Sequence, residues 1–289
     1  MGSSLRLATR GSRQALGQAR TIAAAIEAAT GTSVEFVLIE TTGDRRLDVP
    51  LHTIGGQGVF VKEVQRAVLD GRAELAVHSA KDLPSTTADG LSIAAFTERR
   101  DPRDALVGSK LADLPLGATV ATGSVRRRAQ LARVRPDLEF VELRGNIDTR
   151  LTKIPAGGAI VMAVAALQIL ELTDRIAEHL SIAEFVPAVG QGCVAVEVRA
   201  DDEETADVVA AVDHAATRHA VEVERAFLAE LGSGCSLPVA AHAAGEVFRT
   251  FLADPARGLA VGDVLDLTGS AADLELAAAA ARAANASLQ

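Results

Sequence analysis

The sequence predicts an α/β protein made of two similar halves with a cleft between them, followed by a smaller C-terminal part. Three observations predict it. Short apolar runs alternate with amphipathic helical stretches, the pattern of strand–helix repeats. That alternation is interrupted by charge and proline at Glu98-Arg-Arg-Asp-Pro-Arg-Asp104 and by glycine and proline at Pro187-Ala-Val-Gly-Gln-Gly192, two hinge-like crossings. Arginine is gathered locally: 10 of 25 arginines lie between Arg99 and Arg150, in a chain with four lysines and a net charge of −9.

Taken in order, Leu5–Thr9 reads as a short strand, and Ser12 caps a helix through about Ala29. That helix carries Leu16, Ala19, Ile22, Ala23 and Ile26 at helical spacing. Val34–Glu40 is a second strand, Gly55-Gly-Gln-Gly58 a loop, and Val59–Leu69 a helix. Glu74–His78 and Leu91–Phe96 are strands of a sheet expected to be parallel. After the first crossing the pattern restarts. Strands at Thr119–Ala121, Glu139–Leu143 and Ala159–Met162 are followed by helices from Ser124, Asn146 and Val164. After the second crossing, Cys193–Val198 is a strand, Glu203–Val212 a helix and about Thr217–Leu231 a long helix. The tail carries strand-like pieces at Val239–Ala243 and Gly258–Val264 and an alanine-rich helix from Ser270.

Composition excludes several classes of function. Trp and Tyr are absent, so bases cannot be held mainly by aromatic stacking, and a pI near 5.2 argues equally against nucleic acid as partner. The first residues, Met1-Gly-Ser-Ser-Leu-Arg-Leu, hold no apolar signal-peptide core. No later run of about 18 uncharged apolar residues is long enough to span a bilayer. A cytoplasmic protein without a membrane partner is expected. His214 and His219 are off same-face helical spacing and have no cysteine pair beside them, so no metal is expected. Cys193, at a strand start, is expected in the core.

The local clusters suggest anion chemistry. Arg10-Gly-Ser12 ends the first strand and opens the first helix, where backbone N–H groups and the helix dipole favour an anion. Thr122-Gly-Ser124 repeats the arrangement in the second half, with Arg126 and Arg127 one turn in. Arg144-Gly-Asn146 sits at another strand-to-helix junction, and Arg150 lies one turn beyond Asn146. A guanidinium grips a carboxylate by two parallel hydrogen bonds, so several separate arginines suit a ligand with several carboxylates. In His78-Ser-Ala-Lys-Asp-Leu-Pro84, Lys81 and Asp82 follow a strand, the end at which open α/β sheets handle ligands. Asp82 among cations is placed to hold a proton donor or to stabilise developing positive charge. Cys235, flanked by small residues past the long helix, is either a structural thiol or an approachable nucleophile.

Together these segments resemble porphobilinogen deaminase, also called hydroxymethylbilane synthase. The matching pieces are Arg10-Gly-Ser12 with Ala15-Leu16 and Gln18, Gly43-Asp44, Pro50-Leu51, Gly58 to Glu63, His78-Ser79 with Lys81-Asp-Leu-Pro84, and Asp101-Pro-Arg-Asp104. They continue with Ser124 to Leu131, Leu143-Arg-Gly-Asn146 with Thr149-Arg150, Pro187 to Gly192, and Glu224-Arg225 leading to Gly234-Cys235 and Pro238. They run in family order over roughly residues 5 to 243.

The resemblance implies three domains: residues 1–98 with 193–214, residues 99–192, and residues 215–289, the first two like periplasmic binding proteins. It implies a monomer that joins four porphobilinogens head to tail into hydroxymethylbilane and releases four ammonias. It implies a dipyrromethane primer bound by thioether to Cys235, and Asp82 as the catalytic acid that holds pyrrole N–H groups and steadies the cationic azafulvene. Arg10, Arg126, Arg127, Arg144 and Arg150 match positions that bind acetate and propionate side chains, with Ser12, Lys81, Thr122 and Ser124 in support. Lys81, Ser124, Arg126, Arg127 and Arg144 are expected on the primer, and Arg10, Ser12, Thr122 and Arg150 on the substrate. Two departures stand out. Gln57 replaces a lysine usual in relatives, and Ile169 stands where relatives usually carry an arginine for a substrate carboxylate. A second reading of the same cleft is a non-catalytic protein that binds small dicarboxylates.

Overall fold

The computed structural model describes residues 4–45, 58, 60–232 and 238–289. The first part of the chain forms β1 (Leu5–Arg10), α1 (Arg13–Thr30), β2 (Val34–Ile39), α2 (Thr42–Arg45), α3 (Lys62–Leu69), β3 (Leu75–Ser79) and β4 (Leu91–Phe96). Next come β5 (Asp104–Val107), β6 (Thr119–Ala121), α4 (Val125–Val134), β7 (Glu139–Val141), α5 (Ile147–Leu151), β8 (Ala159–Ala163), α6 (Val164–Ile169) and β9 (Glu178–His179). The chain closes with β10 (Val194–Arg199), α7 (Glu203–Ala210), α8 (Ala215–Glu230), β11 (Val239–Ala244), β12 (Val247–Asp254), β13 (Leu259–Val261), β14 (Val264–Asp266) and α9 (Ala272–Ser287).

Among the described residues these strands make three sheets. Two are five-stranded, in the orders β2-β1-β3-β10-β4 and β7-β6-β8-β5-β9, and the third joins β11 to β14. The expected α/β class is what forms, with one correction: neither large sheet is purely parallel. β1 runs parallel to β2 and β3, but β10 lies antiparallel to both β3 and β4. In the second sheet β6 is parallel to β7 and β8, while β5 is antiparallel to β8. The cause is topological. β5 is the first strand after the chain leaves the first sheet, and β10 the first after it returns. Each enters its sheet from the crossing rather than through a right-handed helical connection.

Local chemistry explains the elements. Ser12 caps α1 by accepting from the Ala15 amide at 3.2 Å, and Gly31 ends it in the left-handed region at φ 72°. Ala19, Ile22, Ala23 and Ile26 are buried on α1 as their spacing predicts, together with Gln18, whereas Leu16 of the expected stripe is only half-buried. Several boundaries differ from expectation. α3 begins at Lys62, because Gly58 holds a turn at φ 81° whose carbonyl accepts from the Val61 and Lys62 amides. β5, which the sequence reading does not assign, begins at Asp104, the last residue of the charged stretch, and continues through Ala105–Val107. All four of its residues are buried, so it has no alternation to reveal it. The piece at Gly258–Val264 is two short strands, β13 and β14, each pairing with β12.

The core is correspondingly divided. Leu7, Ile22, Ile26, Leu75, Val196 and Val198 fill the space between α1 and the first sheet. Leu106, Val120, Leu131 and Val161 do so on one face of the second sheet, and Val107, Ile160, Met162 and Leu167 on the other. Val223, Phe227, Phe248, Ala277 and Ala281 join α8 and α9 to the third sheet, with Phe227 and Phe248 edge to face at 6.0 Å. The two crossings are tied together: the Arg100 amide donates to the Gly192 carbonyl at 2.9 Å, and Thr97 to Val194 at 3.0 Å.

Candidate active site

A cavity of about 680 Å³ opens between the two large sheets. Its walls come from the carboxyl end of β1 and the start of α1, from the turn after β3, and from the starts of α4 and α5. All ten site residues expected from the sequence and lying within the described part line it: Arg10, Ser12, Lys81, Asp82, Thr122, Ser124, Arg126, Arg127, Arg144 and Arg150. The eleventh, Cys235, lies outside the described residues, as do Gln57 and Gly55.

Three helix starts point at this space, each set by a short polar side chain. Ser124 accepts from the Arg127 amide at 3.4 Å, and Thr122 Oγ1 accepts from the Ser124 amide at 3.2 Å. Asn146 Oδ1 accepts from the Thr149 amide at 2.9 Å. Caps of this kind leave the remaining first-turn N–H groups directed outward, so Ser12 and Ser124 aim two positive helix ends at one cavity. The two matched cradles read from the sequence therefore share a single space.

Several of the arginines are held by protein groups around the cavity. Arg126 is 5% exposed, and its Nη1 donates to Asp104 Oδ2 at 2.7 Å and to the Val186 carbonyl at 2.8 Å. Arg127 donates to Asp104 Oδ1 through Nε at 3.1 Å and Nη2 at 2.8 Å, and to the Val161 carbonyl at 2.9 Å. Burial opposes charge on Asp104, but the two guanidiniums outweigh it and hold the carboxyl far below the usual range. Arg150 Nε donates to the Gly145 carbonyl at 2.8 Å; burial, and then Arg127, lower it to about 10. Arg10 stacks over the Phe60 ring at 4.1 Å, a cation–π contact. Gly43 makes room for that ring, since a Cβ there would lie 2.2 Å from Phe60.

Lys81 and Asp82 sit on the short turn Ala80–Asp82 after β3. Lys81 Nζ donates to Gln191 Oε1 at 3.4 Å. Burial, and then Arg127 and Arg126, lower Lys81 to about 8 against the opposing pull of Asp82 and Asp104. The turn is braced from the C-terminal side: Arg225 on α8 donates to the Pro84 carbonyl at 2.8 Å and the Ser85 carbonyl at 3.1 Å. Beneath β3, His78 Nε2 lies 3.0 Å from Glu197, which also accepts from Gln65 at 2.9 Å. Ile169 does not line the cavity. It packs on α1, where a Cβ at Gly17 would meet its Cγ2 at 2.6 Å.

Sequence reading missed Asp104, Gln191 and Phe60. Asp104 and Gln191 were in view as parts of the two crossings and Phe60 as part of the helix read at Val59–Leu69; all three fall in the family-matching segments, but none was given a role at the site. Among the described residues no helix is long and apolar enough to cross a membrane. Cys193 is 1% exposed, and burial pushes its thiol up to about 12, in keeping with a core position.

Comparison with known proteins adds an independent line. Residues 5–207 match the family described as "Porphobilinogen deaminase, dipyromethane cofactor binding domain", and residues 219–252 match the corresponding C-terminal domain. Porphobilinogen deaminase of Geobacter metallireducens is 43% identical over 276 residues, 94% of this chain and 82% of that one. The protein of the same name from Acidothermus cellulolyticus is 51% identical over 248 residues, 83% of this chain and 75% of that one. Among solved structures, the methionine-binding protein MetQ aligns with a TM-score of 0.46 at 14% identity, over 72% of this chain and 88% of that chain. By its sequence over most of its length, the chain belongs to the porphobilinogen deaminase family.

Proposed function

We propose that this chain condenses four porphobilinogens head to tail into hydroxymethylbilane, releasing four ammonias, in tetrapyrrole biosynthesis. One observation carries the residue assignment: Asp82 lies in a single cavity with Arg10, Lys81, Arg126, Arg127, Arg144 and Arg150, which come from both halves of the molecule. Each substrate ring carries two carboxylates, so a chain of rings needs many guanidinium forks and few other contacts. Asp82 accepts the pyrrole N–H and offsets the positive charge that spreads into the ring as ammonia departs. Arg10 and Arg150, with Ser12 and Thr122, hold the incoming substrate.

The donor set also fits the dipyrromethane of the family. Lys81, Ser124, Arg126, Arg127 and Arg144 offer cations and a hydroxyl around a cavity of about 680 Å³, the right chemistry for two carboxylate-bearing rings. Cys235 is the attachment point in this reading. When bound, that group supplies the electron-rich pyrrole carbon from which the chain grows.

The same reading divides the chain into residues 1–98 with 193–214, 99–192, and 215–289, working as a cytoplasmic monomer. The test is intact mass of the freshly purified protein together with porphobilinogen consumption. The mass is to exceed that of the polypeptide by two pyrrole units, and Cys235→Ser is to lose the excess. A bare polypeptide mass with no porphobilinogen turnover rejects the reading.

A further inference from the structure

Two buried polar residues that the assignment above does not use, Asp104 and Gln191, link the cations of the cavity wall. Asp104 Oδ1, already bonded to Arg127, also accepts from Gln191 Nε2 at 2.9 Å. The same Nε2 donates to the Pro102 carbonyl at 2.8 Å. Both Gln191 and Asp104 are 1% exposed, so water cannot substitute for these partners. The direction of the amide follows from chemistry. A flipped Gln191 would set its oxygen against a carbonyl and a carboxylate, all acceptors. Its Oε1 therefore faces the other way, toward Lys81 Nζ at 3.4 Å.

The linked residues come from different parts of the fold. Lys81 follows β3 in the first sheet, Arg126 and Arg127 begin α4 beside the second, and Asp104 and Gln191 lie at the two crossings. Gly190, at φ 69°, brings the second crossing onto the Lys81 turn. A Cβ there would lie 2.9 Å from Ala80 Cβ and 3.2 Å from the Lys81 amide nitrogen.

We propose that Gln191 is a positioning residue for the condensation site: anchored on Asp104 and Pro102, its amide sets Lys81 of one half against Arg126 and Arg127 of the other. This deepens the functional reading above and rests on it. Three cations gathered in a buried wall repel one another. Asp104 offsets part of that repulsion, and the Gln191 carbonyl dipole favours the ammonium form of Lys81. The cations are thus in place before substrate binds, and their rearrangement does not have to be driven by binding. The charged groups facing Lys81 are Arg126 and Arg127, which oppose its charge, and Asp82 and Asp104, which favour it, on top of the burial that lowers it to about 8. Removing the carbonyl leaves the ammonium less favoured still.

The experiment compares pH profiles of kcat/KM for the holoenzyme and two variants, each first checked for its pyrrole units by intact mass and for folding by thermal melting. Gln191→Met keeps the length of the side chain and removes its hydrogen bonds. It is to retain the two pyrrole units, lose about tenfold in kcat/KM with most of the loss in KM, and move the alkaline limb to lower pH by roughly half a unit. Gln191→Glu keeps an oxygen toward Lys81 but sets its second oxygen against the Pro102 carbonyl and the Asp104 carboxylate, so it loses the anchor and is to lose at least as much kcat/KM as Gln191→Met. Profiles that superpose on the parent's, or a loss no larger than the unfolded fraction, overturn the proposal. Failure of both variants to fold assigns Gln191 to the fold alone and overturns it too. A parent protein that carries no pyrrole units sinks the functional reading itself, and the proposal with it, before any variant is compared.

Discussion

Arg99 in the first crossing donates through Nη1 to the Glu224 carboxylate of α8 at 2.7 Å, and this pair joins the hinge region to the C-terminal part of the molecule. Glu224 is wholly buried and also accepts from the Gly190 amide at 2.7 Å and the Ala243 amide at 2.8 Å, with His242 Nδ1 3.3 Å away. One carboxylate therefore touches both crossings and the third sheet. Removing one partner of a buried ion pair leaves the other charge uncompensated, at a cost of about 3–5 kcal/mol. Glu224→Gln is accordingly expected to lose that much in denaturant unfolding. The half-exposed Arg13–Asp148 pair at 2.6 Å is the contrast: Asp148→Asn should cost less than about 1 kcal/mol. Equal losses in the two variants would contradict the ranking.

The same carboxylate predicts an acid limit. Burial alone would raise Glu224, but Arg99 and His242 outweigh it and hold it at about 2, against 4.5 for an ordinary glutamate. A depressed folded-state value means the unfolded chain takes up the proton first. The stability from Glu224 is complete above pH 4.5 and is lost as pH falls toward 2. Its size is of the order of 3 kcal/mol. Unfolding free energies measured between these limits should fall steeply for the parent and less steeply for Glu224→Gln; parallel curves would remove Glu224 as the cause.

Asp82→Asn is the sharpest test of chemistry. The amide keeps the shape and a carbonyl acceptor but not the charge, so substrate carboxylates still find their arginines. Electrostatic stabilisation from one such group is worth roughly 10²- to 10³-fold in rate. Single-turnover condensation should slow by about that factor with binding largely intact. Near-normal turnover would remove Asp82 from the role.

Gly145 carries a backbone requirement. At φ 115° it adopts a conformation that side chains avoid, a Cβ would fall 2.8 Å from Thr149 Cγ2, and its carbonyl fixes Arg150. Gly145→Ala combines strain with overpacking, about 1–3 kcal/mol. It should also raise KM, because any shift of this turn moves Arg150. A variant with lowered stability and unchanged KM would mean that Arg150 does not depend on the turn.

What the sequence made legible was local. Ser12, Ser124 and Asn146 announced their helices because a cap acts within three residues of itself, and the arginines announced an anion site by type and clustering. The pairing of Asp104 with Gln191 was not legible, since the two lie 87 residues apart and meet only because two crossings run side by side. The antiparallel entry of β5 and β10 was hidden for the same reason. Strand direction depends on which sheet the chain returns to, and no local period records that. The buried side of Arg126 was equally invisible, because its partner Asp104 closes the charged stretch and opens a four-residue strand that is buried throughout and shows no alternation.

The two cysteines make opposite predictions for thiol chemistry. Cys193 sits against Thr97 and Val194 carbonyls at 3.5 and 3.4 Å, and its thiol, pushed up to about 12 by burial, is neutral at ordinary pH. Reaction requires thiolate and access, and Cys193 has neither while the protein is folded. Cys235, in the functional reading, is consumed in a thioether, which does not react with a disulfide reagent. Native protein should therefore yield no titratable thiol with such a reagent, and denatured protein should yield one rather than the two the sequence contains. Cys193→Ala should lower the denatured count to none while leaving the two pyrrole units in place. Two thiols in denatured parent protein would mean that Cys235 is free, and a fast-reacting thiol in the native protein would have to be Cys235 as well, because Cys193 is shielded by the β3–β10–β4 core.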